Sequence, residues 1–278
     1  MLRKISKWIN KKIQKIRSKH FFHEYGYKLK NFNVEPYGLI EYAQWLHPYE
    51  TEKEITKQLL QFYEQYIPKD SFAIDIGAHT GDTTVPMAIA AGPKGLVLGL
   101  EPNPYVFKIL ERNAQLNKNL AQIIPLCCAA TSENGTFEFN YSDASFCNGG
   151  FLSKIQAKSH HHSHKLMVKG INLSIYLNEN MKAHLPKLSF VKVDTEGYDK
   201  DVLLNLTNII KTYRPIIMAE CYKRLTKEER FSLFNIFEDF GSYRLFKLDD
   251  NNHTSNIHMP SAEMMLSEPH FNFVALPE

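Results

Sequence analysis

The chain contains no apolar run approaching the roughly eighteen residues that a membrane-spanning helix requires. Its first residues do not read as a secretory leader, because lysines interrupt them every few positions and no apolar core follows. Cysteine is scarce: Cys127, Cys128, Cys147 and Cys221, two of them adjacent and none in a C-x-x-C pair. That pattern excludes a disulfide framework and a zinc ribbon, and it predicts reduced structural thiols. No internal repeat or low-complexity linker is visible, and residues 1–19 hold no acidic side chain.

What is present divides into two parts. Eight basic residues fall in that first stretch: Arg3, Lys4, Lys7, Lys11, Lys12, Lys15, Arg17 and Lys19. The net charge of the 278 residues is +3, so without those eight the remainder stands at −5. A mildly acidic body with a basic arm is not a globally basic nucleic-acid surface, and no nucleic-acid partner is expected. In the arm, Leu2, Ile5, Ile9, Ile13 and Ile16 recur at three- and four-residue spacing and make one helical stripe, with Trp8 beside it. Such a helix either lies on an anionic membrane surface or packs its stripe on its own domain or a second copy in a homodimer. The expected location is cytoplasmic, with peripheral contact at the inner face of the membrane through residues 1–19.

Residues 1–49 are expected to form this arm and an aromatic cover of short strands or turns, including Tyr42, Trp45 and Tyr49. Residues 50–278 are expected to form the main domain. After a helix at 50–66, continuous apolar runs at 72–76, 96–101, 122–127, 188–194 and 215–220 read as parallel strands covered on both faces. Helical patterns fill the gaps at about 82–92, 104–117, 199–212 and 226–240. The alternation predicts an α/β fold, a doubly wound, mostly parallel sheet of about seven strands, closed by strands at 243–248 and 271–276. Residues 135–171 break the rhythm and predict an antiparallel insertion near the mouth of the site.

The chemistry concentrates at three strand ends. In Asp75-Ile-Gly77-Ala78-His79-Thr80-Gly81, Gly77 permits a sharp turn off the strand and close approach of a ligand. His79 stands where a dinucleotide fingerprint would need its middle glycine, which argues against a nicotinamide-dependent enzyme. The D-x-G-x-x-x-G form resembles motif I of class I S-adenosylmethionine-dependent methyltransferases. Glu101, at the next strand's end before Pro102-Asn103, can accept two hydrogen bonds from ribose hydroxyls. Val193-Asp194-Thr195-Glu196-Gly197 supplies two more carboxylates, and Glu220 ends the following strand. A hydroxyl nucleophile needs help losing its proton, so these three could act as the base with supporting hydrogen bonds. Alternatively, Asp194 and Glu220 could hold Mg²⁺ or Mn²⁺. The cluster His160, His161, His162 and His164 reads as a solvated loop, with metal binding as the alternative.

With those residues placed, the chain resembles the FkbM family of methyltransferases over about residues 50–276. The resemblance rests on Asp75–Gly81, Glu101–Pro104, Lys192-Val-Asp-Thr-Glu-Gly-Tyr198 and Glu220. It implies an S-adenosylmethionine-dependent O-methyltransferase acting on a sugar hydroxyl of a glycan or glycolipid, or on a polyketide or other small molecule. It also implies that Asp75, Gly77, Gly81 and Glu101 bind cofactor and that Asp194 and Glu196 lie at its reacting end. A catalytically silent scaffold on the same fold is the remaining alternative.

Overall fold

The computed structural model describes residues 12–147, 150–152, 164–248 and 256–278. Most of the isoleucine stripe, Trp8, Asn148-Gly149 and His160, His161 and His162 lie outside the described residues.

Residues 12–20 form helix α1. Strands β1 (Tyr27–Val34) and β2 (Gly38–Trp45) make an antiparallel hairpin, and α2 (Lys57–Glu64) follows. The alternating core begins with β3 (Phe72–Ile76), α3 (Thr84–Ala91), β4 (Leu96–Leu100), α4 (Pro104–Gln115) and β5 (Ile123–Leu126). A separate four-stranded sheet comes next: β6 (Ala129–Thr131), β7 (Gly135–Tyr141), β8 (Phe151–Leu152) and β9 (His164–Asn172). The core then resumes with α5 (Leu173–Asn180), β10 (Leu188–Val193), α6 (Asp199–Asn205), α7 (Thr207–Tyr213), β11 (Ile216–Cys221) and α8 (Lys227–Asp239). Strands β12 (Tyr243–Leu248), β13 (Asn256–Met259) and β14 (Phe271–Pro277) close the chain.

The main sheet runs β13-β12-β14-β11-β10-β3-β4-β5, parallel from β11 through β5. This is the doubly wound architecture expected from the strand–helix alternation. Strand β14 inserts antiparallel between β11 and β12, and β13 adds an eighth strand at the edge. The helix expected over 199–212 is two helices that meet at the fully buried Leu206, where Asn205 turns its side-chain oxygen toward the Ser174 amide.

Period-two alternation divides the strand residues between two cores. Ile74, Ile76, Leu98, Val191, Val193 and Ile217 pack with helices α5 to α8. Ala73, Val97, Phe190 and Met218 face the other way, toward α2 and α3. Asp75 and Lys192 lie on this second face as direct neighbours in the β3–β10 register.

The hairpin sits on α4 through two asparagines one turn apart. Asn113 accepts from the Ala43 amide (2.7 Å) and donates to the carbonyls of Ala43 (3.2 Å) and Thr80 (2.7 Å). Asn117 exchanges the same pair of bonds with Glu41, at 2.9 and 2.8 Å. Their carboxamides thus stand in for a neighbouring strand along the outer edge of β2. Neither side chain is solvated.

Candidate active site

A cavity of about 310 Å³ opens at the C-terminal ends of β3, β4 and β10, where open α/β sheets bind ligands. Its volume lies at the lower end of the ~300–1,000 Å³ typical of small-molecule sites. The turn after β3 forms its floor. Gly77 adopts φ +83° there, and its amide and that of Ala78 both donate to the Leu100 carbonyl, at 3.0 and 2.9 Å. A β-carbon on Gly77 would stand 1.9 Å from the Asp194 carbonyl oxygen. The close approach that this glycine serves is therefore to the end of β10.

Glu101 follows β4 and is almost wholly buried. One carboxylate oxygen accepts from the His79 amide (3.0 Å) and the other from the Asn103 amide (2.8 Å). Burial pushes its pKa up, against the pull of His79 and those two amides. Asn103 caps α4 by accepting from the Tyr105 amide (3.0 Å), with Pro104 in the first turn, and donates to the Phe146 carbonyl (2.6 Å). The β4 end is thereby tied to the loop that follows β7.

The Lys192 ammonium lies between Asp75 (3.4 Å) and Asp194 (3.2 Å). Asp75 is fully buried, and its second oxygen accepts from the hydroxyls of Thr83 and Thr84, both at 2.7 Å. Gly99, the neighbour of Asp75 on β4, leaves room for Thr84: a β-carbon there would come within 3.2 Å of the Thr84 methyl. Burial opposes the charge on Lys192, but Asp194 and then Asp75 prevail and hold its pKa well above the usual lysine range. On the opposite wall, Lys53 pairs with Asp82 (2.7 Å) and Glu50 (3.2 Å). Burial would raise the Asp82 pKa, yet Lys53 and then His79 hold it below the ordinary value.

The structure divides the expected site residues. Gly77, His79, Glu101, Pro102, Asn103, Asp194 and Glu196 line the cavity. Asp75, Ala78, Thr80 and Gly81 do not. Asp75 braces the turn from beneath, Ala78 is fully buried, Thr80 bonds the buried Tyr42 hydroxyl (2.7 Å), and Gly81 packs toward Leu110. Strand β10 ends at Val193, so Glu196 sits in the following turn, with φ +55°. Glu220, the penultimate residue of β11, lies outside the cavity lining, with one oxygen 3.3 Å from His270 and the other buried without a hydrogen-bond partner. Burial first, then Asp194, Asp199 and Glu196, push the Glu220 pKa up to about 9. Burial and Asp194 likewise raise Asp199 to about 7.

The expected Mg²⁺ or Mn²⁺ site does not assemble. Asp194 faces Lys192 and Glu220 faces His270. Among the described residues, no group of three or more His, Cys, Asp or Glu side chains is placed to hold a metal ion.

Sequence reading missed Lys53, Asp82, Lys192, Phe139, Tyr141 and Cys147, all of which line the cavity. Lys192 carried a signal: it is the one charged residue in β10, flanked by Phe190, Val191 and Val193. Asp82 also directly follows the glycine turn. Lys53 lies in an irregular stretch with no pattern to mark it. The last three come from the extra sheet and its loop, whose Asp143 accepts from the amides of Ser145 and Cys147. The buried His47 stands 3.6 Å from Asp143, and burial pushes its pKa down to about 3, so the ring is neutral.

Residues 75–251 match the family model described as the methyltransferase FkbM domain. The hexuronic acid methyltransferase AglP of Haloferax volcanii is 25% identical over 214 residues, covering 76% of this chain and 78% of that protein. Methyltransferase 1 of Beauveria bassiana is 26% identical over 152 residues, half of this chain and 59% of that protein. Among solved structures, a methyltransferase FkbM from Methylobacillus flagellatus KT superposes with a TM-score of 0.46 at 12% identity. That match covers 77% of this chain, which spans half the length of that protein.

Proposed function

The chain belongs to the methyltransferase FkbM domain family, and from that premise we propose that it transfers a methyl group from S-adenosylmethionine to a sugar hydroxyl of a glycan or glycolipid. The observation that carries this reading is the convergence of Gly77, Glu101 and Asp194 on one cavity. The residues present fit the methyl donor. Glu101 keeps acceptor capacity for ribose hydroxyls beside its two amide bonds. Lys53 and Asp82 place opposite charges on one wall, complementary to the carboxylate and ammonium of an amino-acid end. When bound, the donor supplies an electrophilic methyl on a sulfonium.

Asp194 accepts the proton of the attacking hydroxyl, and Lys192 holds that carboxylate in place. A positioned base contributes ~10²–10⁴-fold. Alignment of hydroxyl, methyl and sulfur contributes more, up to roughly 7–11 kcal/mol. Phe139 and Tyr141 narrow the cavity from the extra sheet. The sugar acceptor is supported by the Haloferax relative, which acts on a hexuronic acid.

The test is transfer of tritium from methyl-labelled S-adenosylmethionine to hexose and hexuronic acid glycosides, with Asp194→Asn as the control. An alkali-stable methyl ether lost in the variant supports the reading. An alkali-labile methyl ester would move the reaction to a carboxylate. No transfer to any sugar would reject the acceptor class.

A further inference from the structure

The described part of the basic arm turns its apolar stripe away from the protein. Ser18 of α1 is buried, and its hydroxyl donates to the Lys15 carbonyl (3.1 Å). The Tyr49 hydroxyl donates to that same carbonyl (3.2 Å), and the Lys15 ammonium lies 5.1 Å from the centre of the Tyr49 ring. At about 100° per residue, positions 15 and 18 face the body, and positions 13, 16 and 17 face away from it. Ile13 and Ile16 are accordingly 48% and 56% exposed, and Phe21 and Phe22, just beyond the helix, are 72% and 52% exposed. A helix on a globular domain ordinarily buries its apolar stripe, so an outward stripe marks an interaction face.

The surrounding charge selects the occupant. Residues 1–19 carry eight basic side chains and no acid, and Arg17 and Lys19 are exposed beside the stripe. A second copy meeting this patch about a two-fold axis would set the same positive charges against themselves. An anionic lipid surface offers both negative charge and an apolar layer. We infer that α1 and Phe21-Phe22 dock this chain on an anionic lipid surface. Among the described residues no helix is long and apolar enough to cross a membrane.

The docked face adjoins the cavity wall. The Lys19 carbonyl accepts from the Ala144 amide (3.3 Å), and the Ser145 hydroxyl bonds the His23 amide (3.1 Å) and the Phe21 carbonyl (3.3 Å). Cys147, in the same loop, lines the cavity. Docking therefore brings the Cys147 wall of the cavity close to the lipid.

The experiment is co-sedimentation of the full chain with phosphatidylcholine vesicles, with and without phosphatidylglycerol. Binding is expected only with the anionic lipid and should fall as salt rises, with Arg17→Glu and Lys19→Glu each costing about fivefold or more in partition. Ile13→Asp with Ile16→Asp should cost at least about tenfold, while circular dichroism and methyl transfer to a water-soluble acceptor stay unchanged. Binding is read without turnover, so failure of the acceptor assignment leaves this result standing. No binding, binding indifferent to the two aspartates, or a dimer that those aspartates dissociate without vesicle binding would overturn the inference.

Discussion

The carbonyl oxygen of Asp194 stands 1.9 Å from where a β-carbon of residue 77 would be, so the glycine turn and the carboxylate strand close on each other only because Gly77 has no side chain. The Asp194 amide also donates to the Ile76 carbonyl (2.9 Å), which fixes the two strand ends in register. The glycine turn after β3 and the end of β10 are thus one rigid unit.

Gly77→Ala must therefore move β10 as well as adopt a left-handed backbone. Its expected cost is ~2–4 kcal/mol, from backbone strain plus overpacking. Urea unfolding of the variant measures it. A loss below ~1 kcal/mol would mean that the strand ends part easily.

Lys192 neutralises two carboxylates from a buried position. Lys192→Met should cost ~3–5 kcal/mol, because Asp75 would remain as a buried charge without its cation. Adding Asp75→Asn should restore part of that loss, and the double-mutant cycle in urea gives the coupling directly.

Much of this was legible in the chain. The apolar runs ending at Ile76, Leu100 and Val193 set the parallel strands, and Gly77, Glu101 and Asp194 at their ends marked the cavity. What stayed hidden depends on pairing between distant segments. Nothing in the sequence shows that Asn113 would bond β2 seventy residues away, or that Lys53 would reach Asp82. Asp75 looked like a ligand group because it is a polar residue near a strand end. Its position one residue before the end of β3 instead points it at Lys192 and α3.

Asn113→Ala removes one side chain that satisfies three buried backbone groups. The expected loss is ~2–3 kcal/mol, with faster amide exchange in residues 38–45 as the hairpin loosens from α4. Hydrogen exchange confined to that segment is the readout.

Glu220 makes stability depend on pH with a defined sign. Its pKa is about 9 in the folded protein against an ordinary value of 4.5. The native state therefore keeps a proton that the unfolded chain releases, and the stabilisation present below pH 4.5 is lost as pH rises toward about 9. Glu220→Gln removes this contribution. Its urea midpoint should match that of the parent below the window and exceed it increasingly up to about pH 9. A constant offset across the range would contradict the assignment.

The most direct test of the central claim is calorimetric titration of S-adenosylmethionine into the parent protein and into Glu101→Ala. If the ends of β3, β4 and β10 hold the methyl donor, the parent binds one equivalent and the variant loses at least about tenfold in affinity, the ~1.5–3 kcal/mol of a charge-assisted hydrogen bond. Unchanged affinity in Glu101→Ala, or no binding to the folded parent, would contradict it.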